Sequence, residues 1–404
     1  MEAQIENKRW NFPNGKVNQE YCYEFDISKF MPEAVVETID GLEEVGLTFD
    51  METKQVAGTP NVPGEHKIKL TYKPKDWAEG KPVLEKEIGL IINPDPRSLW
   101  NDIPTDETID YFKPDSDTRF IKVMSQKDMA AASKRGRSHA HEGKARDDDF
   151  SLHFDKETGW YIMVVADGAG SAKFSREGSK IACQTAIDVC KEQLLSLGDN
   201  FEREIQLFDK DKSQEKRNDV GKILYEIAGN AAFKAHKNIE KEARQKGNPV
   251  KDYSTTFILS ISKKFNYGWF VGAFWVGDGG IGIYDKDTQY LKILGEPDGG
   301  EFAGQTRFLT MPEIIQPAEI YRRLRFDIVP DFTALILMTD GITDPKFETD
   351  ANLSRIEKWN DLWADLCNEV DFTDSNERVA DQLLKWLDFW SQGNHDDRTI
   401  AILF

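Results

Sequence analysis

Basic charge, cysteine and long apolar runs are all scarce in this 404-residue chain, and each shortage closes off a class of function. Lys and Arg number 52 against 71 Asp and Glu, a net charge of −19. A nucleic-acid binder needs a basic surface to displace counterions from phosphates, so no nucleic-acid partner is expected. The four cysteines (Cys22, Cys183, Cys190, Cys367) show neither metal-ligand spacing nor the density of a disulfide scaffold, which makes the reducing cytoplasm the expected location. No run approaches the roughly 20 apolar residues of a membrane-spanning helix. The segment 1–8 lacks the apolar centre of a secretory signal, so neither membrane association nor export is expected.

What is present reads as two kinds of sequence. The length is comfortable for two domains. The first hundred residues alternate with period two, as in Glu65-His66-Lys67-Ile68-Lys69-Leu70-Thr71-Tyr72, and are punctuated by Gly58-Thr59-Pro60 and Pro63-Gly64. This predicts a small all-β sandwich over residues 1–95. The run Gly46-Leu47-Thr48-Phe49-Asp50, with Gly58-Thr59-Pro60 and Gly64 after it, resembles immunoglobulin-like modules of the cadherin-like type. That resemblance implies a module that binds a protein partner or acts as a spacer. Residues 96–120 are rich in Pro, Asp and Thr and read as a linker.

From 121 to 404 the pattern is mixed. Apolar strands such as Tyr161–Ala166 and Ala334–Met338 are separated by paired helical stretches at 174–198 and 219–245, and by a late pair with the faces Ile356/Trp359/Trp363/Leu366 and Val379/Leu383/Trp386/Trp390. Paired helices between groups of strands predict an α+β domain and not a strict βαβ alternation.

One arrangement recurs: an apolar strand ends and an aspartate sits at its tip. Asp167-Gly168, Asp278-Gly279 and Asp340-Gly341 all follow such strands, Asp396-Asp397 precedes the last one, and Asp147-Asp148-Asp149 precedes another. A single Asp-Gly is more often a turn than a ligand. Several at strand ends form a rigid set of converging carboxylates, which repel one another unless cations lie between them. An all-oxygen set of this kind suits Mg²⁺ or Mn²⁺, and the glycines let the backbone turn and bring a carbonyl to the metal.

The surrounding sequence resembles the type 2C metal-dependent protein phosphatases, in their bacterial branch. Val164-Val165-Ala166-Asp167-Gly168-Ala169-Gly170 is similar to that family's Val-Ala-Asp-Gly-x-Gly motif. Ser138-His139…Gly143…Asp147–Phe150, Ser254-Thr255-Thr256, Gly277-Asp278-Gly279, Thr339-Asp340-Gly341 and Asp396-Asp397-Arg398-Thr399 follow in the family's order. The resemblance implies a four-layer α-β-β-α sandwich that hydrolyses phosphoserine and phosphothreonine in proteins, with a phosphoprotein substrate and a cognate Ser/Thr kinase as partners. It also implies roles: Asp167 bridging two Mg²⁺ or Mn²⁺ ions, the Gly168 carbonyl on one of them, Asp340 and Asp396 completing one shell, Asp148 (or Asp147) holding waters on the other, and Asp278 near a third, weaker site. Two ions roughly 3.5–4 Å apart would activate a water for in-line attack on phosphorus. No cysteine stands in a Cys-x5-Arg loop, which excludes the covalent cysteine route.

Two positions depart from the family pattern. Gly143 stands where better-known members carry a phosphate-holding arginine, leaving Arg146 and Lys144 as candidates, with Arg137 as another; Ala169 replaces the histidine read as the leaving-group acid, leaving His139 or His395. These departures keep a catalytically weak phosphoprotein-binding module, a pseudophosphatase, as the alternative. The acidity and motif order speak against a two-metal nuclease.

Overall fold

The computed structural model describes residues 10–78, 80–298 and 306–404. The chain divides into two compact units, residues 1–101 and 102–404. Segment 1–8, read above for a signal, lies outside the described residues.

The first unit is all-β apart from short 3-10 turns. Its strands are β1 (Trp10–Asn11), β2 (Gly15–Lys16), β3 (Tyr21–Glu24), β4 (Ala34–Asp40), β5 (Leu47–Asp50), β6 (Gln55–Gly58), β7 (Gly64–Pro74) and β8 (Leu84–Asn93). One sheet runs β1-β8-β7-β4, with β2 also on β8, and a second runs β3-β6-β5. The alternation seen in the sequence is the mechanism: Ile68, Leu70 and Tyr72 of β7 are buried while Lys67 and Lys69, in alternate positions, face water. Those side chains join Trp10, Leu47, Val56, Ile88 and Leu90 in one core.

The second unit carries β9 (Ser116–Ile121), β10 (Met129–Lys134), β11 (Asp149–Phe154), β12 (Tyr161–Ala166), β13 (Phe257–Phe265), β14 (Gly268–Val276), β15 (Gly280–Asp285), β16 (Tyr290–Gly295), β17 (Leu324–Val329), β18 (Ala334–Met338) and β19 (Arg398–Leu403). They form two sheets, ordered β16-β15-β18-β19-β10-β9 and β11-β12-β13-β14-β17. Period-two alternation again sorts the side chains, but here both faces are apolar. From β12, Tyr161, Met163 and Val165 enter a core shared with Leu335, Leu337 and Ala401 of the other sheet. Ile162 and Val164 turn to a core shared with the helices Ser175–Lys210 and Asn230–Lys246. From β18, Ala334, Ile336 and Met338 meet Trp359, Trp363 and Leu383 of the helices Ile356–Glu369 and Val379–Trp386.

Three expectations need correction. The segment 96–120 is not a linker throughout, because the second unit begins at Asp102. Lys113 is buried, and Tyr111 packs edge-on to Phe174 and Tyr253 within that unit. The helix read as 174–198 continues to Lys210, since its apolar positions recur at Phe201, Ile205 and Phe208. Trp390 lies beyond the helix ending at Trp386, against the His395 ring and the Arg137 guanidinium, and is not part of that helical face.

Candidate metal centre and active site

Strand register decides which aspartates meet. β12 ends at Ala166, β13 begins at Phe257 opposite Val276, and β14 ends at Val276. Antiparallel pairing therefore gathers Asp167, the Thr255-Thr256 entry and Asp278 at one end of the sheet. Asp167 is tied there directly: its amide donates to Thr256 Oγ1 (2.8 Å) and its carbonyl accepts from Thr256 N (2.7 Å) and Thr255 Oγ1 (2.8 Å). From the other sheet, β18 delivers Asp340, which opens the helix Asp340–Phe347.

Carboxylate oxygens of Asp167, Asp278 and Asp340 all lie within 4.8 Å of one another. Burial first, then the neighbouring aspartates, raises the pKa of Asp167 and of Asp340 well above the usual carboxylate value. Asp278 is raised mainly by burial, tempered by a bond from the Thr306 hydroxyl. Asp278 Oδ1 and Asp340 Oδ1 are buried without a hydrogen-bond partner among the described residues. Like charges this close, with orphaned oxygens, fit a hard cation and fit little else.

A second knot lies beside the first. Asp148 accepts from Thr339 Oγ1 (2.9 Å) and Thr399 Oγ1 (2.7 Å), and burial raises its pKa. Asp397, passed over in the sequence in favour of Asp396, is the hub. Its Oδ1 accepts from Gly136 N (2.6 Å) and faces His139 Nδ1 (3.0 Å), and its Oδ2 accepts from Asp147 N (2.5 Å). Burial opposes its charge, but His139 and the amides outweigh burial and hold its pKa low. His139 Nε2 lies 3.7 Å from Asp147 Oδ2. Burial works against the imidazolium, yet Asp397, Asp147 and Asp396 lift His139 to about 9. Asp147 is pushed up to about 6 by burial and by Asp397. Asp396 forms a further close group with His139 and Asp397.

The glycines serve differently from expectation. Gly168 has no left-handed backbone; a Cβ there would come 2.6 Å from the Asp147 carbonyl oxygen, so the residue is glycine because the Asp147 loop lies directly on it. Gly277 does need its freedom, with φ +112 and Thr256 Cγ2 2.5 Å from where a Cβ would stand.

The two expected phosphate-gripping residues are engaged elsewhere. Arg146 is 1% exposed and donates to the carbonyls of Pro114 (3.2 Å) and Asp148 (3.1 Å), so it props the acidic loop from behind. Lys144 is exposed and paired with Glu142 at 2.5 Å. Arg137 donates to carbonyls at Asp388 and Phe389. Two basic residues that sequence reasoning missed do reach this loop. Lys113 is buried and bonds the Asp148 carbonyl (2.8 Å), Ser179 Oγ (3.1 Å) and the Asp149 carboxylate (2.9 Å). Arg176 Nη1 lies 3.7 Å from Asp147 Oδ1, while its Nε and Nη2 donate to the carbonyls of Tyr111 and Asp110. No local signal marks either residue, since the carbonyls and side chains they meet at this loop lie about 30 or more residues away along the chain. His395 sits against Trp390, its pKa lowered by burial and by Arg137 and Arg398.

The family model for protein phosphatase 2C matches residues 135–388, more than half of the chain. The chain belongs to the protein phosphatase 2C family. Among curated proteins none matches it. Solved structures similar to this phosphatase 2C chain include serine-threonine phosphatase 2C from Toxoplasma gondii (15% identity, 72% of this chain and 99% of that one, TM-score 0.42). They also include PppA, a regulatory component of the T6SS of Pseudomonas aeruginosa (15% identity, 69% and 99%, TM-score 0.39). A third is the catalytic domain of the serine threonine protein phosphatase PstP in complex with two manganese ions (15% identity, 68% and 96%, TM-score 0.35).

Proposed function

We propose that this phosphatase 2C chain hydrolyses phosphoserine and phosphothreonine in proteins with the help of two hard divalent cations, Mg²⁺ or Mn²⁺. The observation that carries the reading is the carboxylate trio Asp167, Asp278 and Asp340, within 4.8 Å and with buried unpartnered oxygens on two members. Asp167 and Asp340, the Gly168 carbonyl, Asp148 and Asp396 are the groups that would hold the two ions. Asp278, read from sequence as a neighbour of a third, weaker site, belongs with Asp167 and Asp340 on geometry. Bound ions would supply Lewis acidity and an activated water at neutral pH.

The chain's own residues do the rest. Thr339 and Thr399 fix the Asp148 carboxylate, and Asp397 fixes both the Asp147 amide and one face of His139. With Nδ1 held, His139 keeps a proton at Nε2 toward Asp147, a placement suited to protonating a leaving group. Arg176, at Asp147, takes the phosphate-positioning role once assigned to Lys144 and Arg146.

The finer organisation belongs to the same reading: a four-layer α-β-β-α sandwich and an N-terminal immunoglobulin-like module that binds a protein partner. The cytoplasm is the proposed location, which agrees with all four cysteines being free thiols. A cognate Ser/Thr kinase is the proposed source of substrate. The test is release of phosphate from a generic aryl phosphate in Mn²⁺, abolished by a chelator. Tight phosphopeptide binding with no turnover at saturating Mn²⁺ would overturn it in favour of a binding module.

A further inference from the structure

The same end of the five-stranded sheet that gathers Asp167 and Asp278 carries a second feature on its edge strand. β17 begins at Leu324 opposite Phe274, close to where β14 leads into Asp278. Between β17 and the helix Gln214–Leu224 lies a groove of about 300 Å³ lined by Gln214, Arg217, Asn218, Tyr321, Arg325 and Phe326 among others, with no carboxylate in its lining.

In a chain of net charge −19, two exposed guanidiniums here make no ion-pair contact among the described residues. The Arg217 guanidinium stacks over Phe326 (4.8 Å) and Phe208 (5.8 Å), with a carbonyl, Phe326 O, as its hydrogen-bond acceptor at 3.4 Å. Arg325 stacks over Trp275 (5.0 Å) and donates to the carbonyls of Arg322 and Leu324. Neither forms an ion pair among the described residues. Two of the carboxylates nearby are taken: Asp219 by Lys216 and Lys222, Glu319 by Arg322 and Arg323; Glu296 acts on Arg325 only without an ion-pair contact. The pKa of Arg325 is lowered, first by burial and then, against Glu296, by the like charges of Arg322 and Arg217. Aromatic stacking holds both forks in place at little further entropic cost on binding, and a planar fork matches carboxylate or phosphate bidentately. Tyr321, 45% exposed, closes the groove, its hydroxyl lying over Gly221, where a Cβ would come within 2.9 Å of it.

We infer that this groove docks an acidic peptide segment of the protein substrate, through Arg217 and Arg325, while the phosphorylated residue occupies the aspartate centre. The inference rests on the phosphatase reading above. From β12 to β17 is three strand steps of about 4.8 Å, so about 14 Å, the reach of about four extended residues. The preferred substrates are therefore phosphopeptides with carboxylates or a second phosphate about four residues from the scissile phosphate.

The experiment compares the full chain with the Arg217→Gln/Arg325→Gln variant in Mn²⁺. The substrates are an aryl phosphate, a phosphopeptide with an acidic cluster at that spacing, and the same peptide with the cluster made neutral. A fluorescent, non-phosphorylated acidic peptide reads binding separately by anisotropy. The expected result is a loss of about tenfold in kcat/KM, through KM, on the acidic phosphopeptide alone, with matching loss of anisotropy. Unchanged aryl phosphate turnover shows that the variant is folded, and Arg217→Lys/Arg325→Lys should fall between the two, keeping charge but losing the fork. Equal rates on acidic and neutral peptides by the unaltered chain, or equal losses on both by the variant, would overturn the groove while leaving the phosphatase reading intact. If no substrate turns over, the phosphatase reading fails, and anisotropy still decides the groove. Equal binding of an oligonucleotide of the same charge would overturn the peptide assignment.

Discussion

The aspartate centre and the arginine groove sit at the same end of one sheet and pose opposite problems. In the centre, like charges are crowded together, Asp167 buried and Asp278 and Asp340 half-buried, so ionisation is opposed: Asp167 and Asp340 have their pKa values raised well above normal. In the groove, like charges lie on aromatic faces and stay partly in water, where a guanidinium tolerates a missing partner at small cost. The difference teaches what each can recruit. Buried carboxylates require a desolvated hard cation before they can all be charged, whereas half-hydrated guanidiniums offer a weaker, reversible hold on an anion.

The largest effect expected comes from breaking the centre. Asp167→Asn should lower Mn²⁺-dependent aryl phosphate hydrolysis by about 10³-fold or more, since it removes the proposed bridging charge. In chelator the same variant should unfold at a higher temperature than the unaltered chain, because one of the mutually repelling carboxylates is gone; an unchanged or lower melting temperature would count against the repulsion. Lys113→Met comes next. Removing the ammonium leaves the Asp149 carboxylate without its buried cation, a loss of about 3–5 kcal/mol by urea denaturation.

A third prediction separates the two regions by pH. Asp147 is raised from the ordinary value of 3.8 to about 6, so the metal-free folded form binds more protons than the unfolded chain between those values. Its favourable contribution is complete below about 4 and is lost as the pH rises through 6, so the metal-free protein should lose thermal stability across that window. Mn²⁺ should abolish the loss, and the Arg217→Gln/Arg325→Gln variant, which leaves the aspartate centre untouched, should show the same curve. Asp397→Asn, which weakens the hub under His139 and Asp147, should cost about 10–100-fold in metal affinity or activity, read from Mn²⁺ titrations. The smallest effect belongs to Lys144→Ala: an exposed pair with Glu142 is worth at most about 1 kcal/mol, and turnover should hardly change.

Much of this was legible in one dimension, and the reasons are local. Alternation along β7 and β12 marks strands because successive side chains leave a strand on opposite sides. The acidic tips announced themselves by their number, since one aspartate after an apolar strand is ordinarily a turn and several in one order are not. Other features had no local trace. The alanine-rich β10 (Met129–Lys134) reads as nothing in particular by propensity, and is a strand because small side chains suit a position buried between neighbours on both faces. Arg146 looked available because it is charged, yet its partners are carbonyls folded around it.

The amino-acid sequence by itself determined the family, through its ordered motifs, the all-β and mixed regions, through periodicity, and the set of aspartates from which the proposed cation site is drawn. Tertiary structure alone decided that Asp278 joins Asp167 and Asp340, that Asp397 and not only Asp396 organises the loop, and that Lys113 and Arg176 reach that loop alongside Arg146. It also decided that Arg217 and Arg325, far apart in the chain, share a groove. The physical reason is the same throughout: burial, hydrogen-bond partners and electrostatic neighbours are properties of strand register and packing between distant segments, and no short stretch of sequence contains them.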